Sequence, residues 1–309
     1  MGEVQFTSGD RVRFHTGNLL GRFFPDRESR ILMRIPPDIP LMYHAVGHYG
    51  NEGAHSTLED ILVHIGQLAG PTSKGYARLV SFDDGYASSI PSIRSLCAAG
   101  IPVVWFVTTW FRHGAYLPKD LLRIVAERLP RGGRLSVAGF SIRLLNDNPL
   151  FRRWIAFRIN RSLMVQCSHY EYQSVLARLY ADYRSLIEDA PDDLLLLASA
   201  DALRSLVREF PGLRIGAHGS LHYRWDRLQG TAEIRAEIIE PRRYLEELLD
   251  TPIDEVAYPY GFMPDKAGLE VIRSQYRLGY MAEPTPSVDP FASPRFGMDG
   301  VQLQQGGGG

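Results

Sequence analysis

The apolar run Leu79-Val80-Ser81-Phe82 ends in two adjacent carboxylates, Asp83-Asp84, with Gly85 directly behind them. Two like charges side by side are costly unless a cation or a proton relieves one of them. A strand tip that carries such a pair therefore needs a reason, and a second apolar run supplies one. Leu213-Arg-Ile-Gly-Ala217 closes on His218-Gly-Ser-Leu-His222. Carboxylates and imidazoles at two strand ends can meet around one metal ion. That donor set points to a metal-assisted hydrolase.

From residue 41 onward, strand-like runs alternate with helical patterns. Strands are expected at Leu41–Val46, Arg78–Phe82, Pro102–Thr108, Arg214–Ala217, Glu255–Tyr258 and Leu278–Ala282. Helices are expected at Thr57–Leu68, with Leu58, Ile61, Leu62 and Ile65 on one face, and at Ile90–Ala99, stopped by Gly100. Further helices are expected at Asp201–Glu209, with Ser199 as a cap, at Thr231–Leu249 and at Asp265–Ser274. Six strands with intervening helices imply parallel pairing through right-handed crossovers. Each candidate polar group lies at the C-terminal end of its strand, the face that carries the active site in barrels of this kind. The alternation breaks between residues 110 and 200, which reads as a mainly helical insertion with a hairpin at Arg134–Arg143. Residues 1–39 read as an N-terminal extension ending in a proline-rich connector, residues 40–300 as the barrel, and residues 301–309 as a flexible tail.

Composition narrows the class. At 309 residues and 45% apolar content, the chain can bury a substantial core. A formal net charge of −1 gives no bulk attraction for nucleic acid. Two cysteines, Cys97 and Cys167, cannot form a disulfide framework; a single bridge between them is the alternative to the expected pair of reduced, buried thiols. The first ten residues show no basic segment followed by an apolar one, and no run approaches a transmembrane span, so a cytoplasmic location is expected.

Phe82-Asp83-Asp84-Gly85, His218-Gly-Ser-Leu-His222 and Tyr258-Pro259-Tyr260-Gly261, in that order, resemble the three motifs of the polysaccharide deacetylase family, carbohydrate esterase family 4. The resemblance covers about residues 40 to 300 and is weakest in the insertion. It implies a distorted (β/α)7 barrel and a metal-dependent enzyme that removes acetyl from an N-acetylated amino sugar. A deformylase or amidase acting on a small precursor, or a non-catalytic carbohydrate-binding relative, are the alternatives.

The resemblance also implies roles. Asp84, His218 and His222 would hold a divalent metal, with zinc the default and cobalt, nickel or iron(II) also suited to two histidines and a carboxylate. In a helical turn, the four-residue spacing puts both histidines on one face. Asp83 would be the general base, since its neighbour loses basicity to the metal. The Tyr260 backbone N–H would help hold an oxyanion. Many relatives carry an arginine at the position of Tyr258 that orients the catalytic aspartate, and Arg295 is the candidate substitute here. No histidine follows His222, which leaves His44 in Met42-Tyr43-His44 as the candidate general acid.

His48, His55 and His64 are expected at the surface. Of the candidate core residues Trp105, Trp110, Trp154 and Trp225, Trp110 and Trp225 could stack on a sugar ring, with Tyr258 a further substrate contact. Ten arginines between Arg112 and Arg161 read as a solvated helical face, though Arg152 to Arg161 could meet an anionic surface or a diphosphate, so peripheral membrane contact is allowed for.

Overall fold

The computed structural model describes residues 39–46, 56–68, 78–113, 115–189, 192–283 and 287–298. Chain order runs β1 (Leu41–Tyr43), α1 (Leu58–Leu68), β2 (Val80–Phe82), α2 (Ile90–Ala98) and β3 (Val103–Val107). The helical insertion then contributes α3 (Pro118–Arg128), the hairpin β4 (Arg134–Val137) and β5 (Phe140–Arg143), α4 (Pro149–Gln166), α5 (His169–Asp182) and α6 (Arg184–Glu188). The alternation resumes with α7 (Ala200–Glu209), β6 (Arg214–Ala217), α8 (Gly230–Ile234), a π turn (Arg235–Ile239), α9 (Glu240–Leu249), β7 (Glu255–Ala257), α10 (Lys266–Gln275), β8 (Leu278–Tyr280) and β9 (Phe296–Gly297).

Seven strands form one sheet in the order β8-β7-β6-β3-β2-β1-β9, parallel at every pairing. This curled, seven-stranded parallel sheet fits the distorted (β/α)7 barrel that the resemblance implied. Helices cover it, so the strands read as continuous apolar runs, and all five residues of β3 are buried. Register aligns the strand ends. Tyr43 lies opposite Phe82, and Val107 lies opposite Ala217. The residues that follow, His44, Asp83, Thr108 and His218, therefore emerge on one face.

The segment around β9 touches both edges of the sheet. Ser293 donates its N–H to Gly279 O on β8 at 2.9 Å, and Phe296 donates to Pro40 O beside β1 at 2.9 Å. Arg295 lies between these two anchor points and is wholly buried. Two residues behind a proline and an arginine carry no alternation of their own, so this seventh strand is absent from the sequence pattern.

Local chemistry fixes the helix ends. Thr57 and Asp60 cap α1 reciprocally: Asp60 N–H donates to Thr57 Oγ1 at 3.1 Å, and Thr57 N–H donates to Asp60 Oδ2 at 2.7 Å. Ser199 and Asp265 cap α7 and α10 through the backbone N–H groups of Ala202 and Gly268. His64, expected at the surface, is buried, with its Nδ1 3.0 Å from the Tyr43 hydroxyl. Its place one turn after Ile61 on the apolar face of α1 accounts for that. His48 and His55 lie outside the described residues. Cys97 and Cys167 are unpaired but only half-buried.

The arginines of the insertion are not one solvated face. Arg152 is buried on α4 and donates to Asn146 O, Ala126 O, Glu127 O and Leu129 O. Three of these carbonyls belong to the last turn of α3 and its end, where α-helical hydrogen bonding runs out. Arg152→Met should leave them unsatisfied and destabilise the protein by about 2–4 kcal/mol. Urea unfolding of the variant should show a lower midpoint, and an unchanged midpoint would remove Arg152 from this role.

Candidate active site

Asp83 and Asp84 leave the end of β2 in a turn that only a special backbone permits. Asp84 has φ 73° and Gly85 has φ 89°. A Cβ at position 85 would lie 3.0 Å from Val107 Cγ1, so glycine is required for both space and conformation. The turn sends the two carboxylates in different directions. Both are buried.

Asp83 meets Arg295 in a two-pronged ion pair, with Nη1 2.5 Å from Oδ1 and Nη2 2.8 Å from Oδ2. Arg295 is also held by Met281 O and by the Ser81 hydroxyl. Burial works against ionisation of Asp83. Arg295 outweighs burial, with help from His218 and His44, and the carboxyl is held below the usual carboxylate range.

Asp84 meets Lys119, whose Nζ is 2.6 Å from Oδ2. Lys119 comes from the first turn of α3, in the insertion. Burial again opposes ionisation of Asp84, and Lys119 followed by His222 overcomes it, so the carboxyl stays well below its ordinary value. Burial drives the His222 imidazole down to about 3 despite the pull of Asp84. His222 is therefore neutral near pH 7, and Lys119 is the cation that matters. The Lys119 ammonium is raised in turn, as Asp84 and Asp120 outweigh its burial. Asp120 accepts from the Tyr86 hydroxyl at 2.7 Å, and burial pushes its carboxyl up to about 6.

The other oxygen of Asp84, Oδ1, is buried with no hydrogen-bond partner. It lies 3.0 Å from His222 Nε2 and 3.5 Å from His218 Nε2, close but not in hydrogen-bonding geometry. Ligands about 2 Å from one small divalent ion stand roughly 3–3.5 Å apart, so the spacing fits. His218 donates Nδ1–H to Ala257 O at 2.9 Å, which leaves the Nε2 lone pair facing Asp84. Asp84, His218 and His222 thus form a buried donor set for a divalent metal, with ligand atoms within 4.8 Å of one another.

The histidines do not converge through a helical turn, as their spacing suggested. Residues 218–222 are a loop in which Gly219 has φ 75° and His222 has φ 53°. The wholly buried carboxylate of Glu237, carried on the π turn, holds the loop. It accepts the N–H groups of Leu221 (2.9 Å) and Ser220 (3.1 Å) and the Trp225 indole N–H (3.4 Å), and lies 2.8 Å from His169 Nε2. A Cβ on Gly219 would stand 2.6 Å from Glu237 Oε2, so the motif glycine exists to let this carboxylate in.

Tyr260 also has a positive φ, 57°. Its ring meets His222 edge-on at 4.4 Å between centroids, and its hydroxyl accepts from Asn160 Nδ2 at 3.4 Å. Burial pushes this phenol up to about 12. His44 follows β1 on the same face, near enough for its charge to act on Asp83, and its carbonyl accepts from the Ser89 hydroxyl at 2.8 Å.

Trp225 and Tyr258, expected as substrate contacts, lie in the core instead, 0% and 1% exposed and packed against each other. The Tyr258 hydroxyl donates to Phe291 O. Trp110 is also buried, with its ring beside His113. Lys119, Glu237 and Asn160 escaped sequence reasoning. Lys119 alone carried a signal: it is one of three lysines, and it sits at a helix N-terminus, where the dipole disfavours a cation.

No protein-family model matches the chain, and no curated protein matches it. Solved structures do. The Streptococcus pyogenes deacetylase PplD, in complex with acetate, aligns with TM-score 0.48 and 13% identity over 86% of this chain and 94% of that one. IcaB from Ammonifex degensii aligns with TM-score 0.45 and 16% identity over 84% and 90%. A polysaccharide deacetylase from Bacillus cereus aligns with TM-score 0.47 and 11% identity over 86% of this chain, which spans 66% of that structure. Likeness at this level transfers no role to any residue, so each role has to come from the geometry of this chain.

Glu237→Gln tests the loop support. An amide cannot accept at both oxygens and would set its own donors against the N–H groups of Ser220 and Leu221. Metal affinity, read by competition with a chromophoric chelator, should fall ~10–100-fold while the fold is kept. Wild-type affinity would show that Glu237 does not position His218 and His222.

Proposed function

We propose that this chain is a metal-dependent hydrolase that cleaves the amide of an N-acetylated amino sugar. One juxtaposition carries the reading. A buried carboxylate–histidine–histidine donor set stands beside a second carboxylate, Asp83, which is kept off the donor set by its own arginine. The three ordered motifs supply the substrate class. A divalent ion held by Asp84, His218 and His222 would polarise the acyl carbonyl and acidify water at the site.

The side chains divide the remaining work. Asp83 takes the proton of the attacking water. Its lowered pKa makes it a weak base but keeps it ionised, and a carboxylate with about four lone-pair positions can hold Arg295 and still accept from water. Arg295 fixes the direction of that carboxylate, the role a relative's arginine would take from the position of Tyr258. The Tyr260 N–H, set by its left-handed turn, donates to the developing oxyanion. His44 gives a proton to the departing amine, which is too basic to leave as an anion.

Two variants separate these roles. Asp83→Asn keeps the size and removes the base, so acetate release from a panel of N-acetyl sugars should drop ~10²–10⁴-fold with metal still bound. A near wild-type rate would refute the assignment, and a panel that yields no acetate from the metal-loaded wild type would refute the substrate class. His44→Ala should slow amide cleavage strongly and spare an activated ester, whose leaving group needs no proton. Equal losses on both substrates would remove His44 as the acid.

A further inference from the structure

The longest helix of the insertion, α4, has eighteen residues and no acidic one. Its inward face, including Ile155, Ile159 and Leu163, belongs to the core. Its outward face is apolar as well. Leu150, Trp154, Phe157 and Val165 are 42%, 56%, 57% and 46% exposed. Their spacing of three, four and eight residues puts them on one stripe, with Arg161 in the same row. Phe151 flanks the stripe and stacks on Trp154. Arg158 and Arg161 are exposed, and neither forms an ion pair among the described residues. The Arg158 guanidinium lies 5.8 Å from the centre of the Trp154 ring.

An ordinary surface helix turns charge outward and hides its apolar side. This helix turns out aromatic and aliphatic groups with a basic fringe. Trp154, read from sequence as a core residue, is the most exposed of the four tryptophans, since Trp105, Trp110 and Trp225 are 0%, 8% and 0% exposed. We propose that α4 is an interfacial helix that seats on an anionic lipid surface, with Trp154 and Phe157 entering the acyl boundary and Arg158 and Arg161 meeting headgroup phosphates.

Three observations select this occupant. The chain as a whole carries a formal charge of −1, so the attraction is a property of this face and not of bulk charge. Leu150, Phe157 and Val165 have no hydrogen bond to offer a sugar polymer. A second copy docked about a two-fold axis would bring Arg158 and Arg161 against their own equivalents with no acid on the helix to relieve them. Apolar insertion combined with cationic contacts is the pattern by which helices lie on bilayers. The inner side of α4 carries Asn160, whose contact with Tyr260 puts a docked surface about one helix diameter, roughly 10 Å, from the site.

The test uses the full chain with vesicles of phosphatidylcholine alone or mixed with phosphatidylglycerol, and needs no turnover. The protein should sediment with the mixed vesicles and much less with the neutral ones. Trp154 is the one tryptophan open to solvent, so tryptophan emission should shift to the blue on binding, and brominated lipid should quench it. Arg158→Ala with Arg161→Ala should weaken partitioning about 25-fold, at roughly fivefold for each arginine. Trp154→Ala with Phe157→Ala should weaken it at least about tenfold, with far-UV circular dichroism unchanged. Failure to bind anionic vesicles overturns the proposal. Binding that both double variants retain overturns it too. A wild type that sediments as a dimer, with the Trp154/Phe157 variant a monomer, would show that a second copy covers the face.

Discussion

Two ionised carboxylates on consecutive buried residues can persist only if each has a cation of its own. Asp83 has Arg295 and Asp84 has Lys119, and both partners lie far from them in the sequence. Arg295 rides on the short segment that touches both edges of the sheet, so pairing it draws β9 onto β1. Lys119 rides on α3, so pairing it draws the insertion onto the ends of the strands. Leaving one buried charge without its partner costs about 3–5 kcal/mol, several times the net gain from an exposed pair. Closure of the sheet and docking of the insertion are thus coupled to the same two side chains that the chemistry uses.

The same arrangement gives neighbouring carboxylates different tasks. Both oxygens of Asp83 are engaged by a planar guanidinium, which fixes its direction. Asp84 has one oxygen on an ammonium and the other left bare, facing two imidazole nitrogens. Positive φ at Asp84, His222 and Tyr260 turns three successive loops toward one point. Such conformations cost roughly 1–3 kcal/mol each and persist where the surroundings hold them. Here Gly85, Gly219 and Gly261 adjoin the strained positions or their loops, and Glu237 ties the second loop down from below.

The sequence was most informative where structure is local. The hairpin at Arg134–Arg143 and the strand Arg214–Ala217 fall where alternation and turn residues put them, and strand ends came within a few residues elsewhere. Features set by distant contacts were not legible. β9 is two residues long and exists through its pairing with β1. The helix after β6 reads as continuous, and nothing in its apolar spacing marks the π turn that aims Glu237. Histidines four apart suggested a helical turn, whereas Gly219 makes a loop possible that serves the same convergence. Trp225 follows the second motif and Tyr258 opens the third, so both looked available to substrate, but each fills the core behind its loop. Among the described residues, no helix is long and apolar enough to cross a membrane, and that says nothing about which faces meet one.

The central claim is that Lys119 and the two histidines divide the oxygens of Asp84 between a fixed cation and a metal ion. Anomalous diffraction from crystals grown with zinc tests it directly. The account predicts a single strong peak bonded by Asp84 Oδ1, His218 Nε2 and His222 Nε2, with Lys119 still on Oδ2. A peak bonded by Asp83, or no peak at this triad in fully loaded protein, would contradict it.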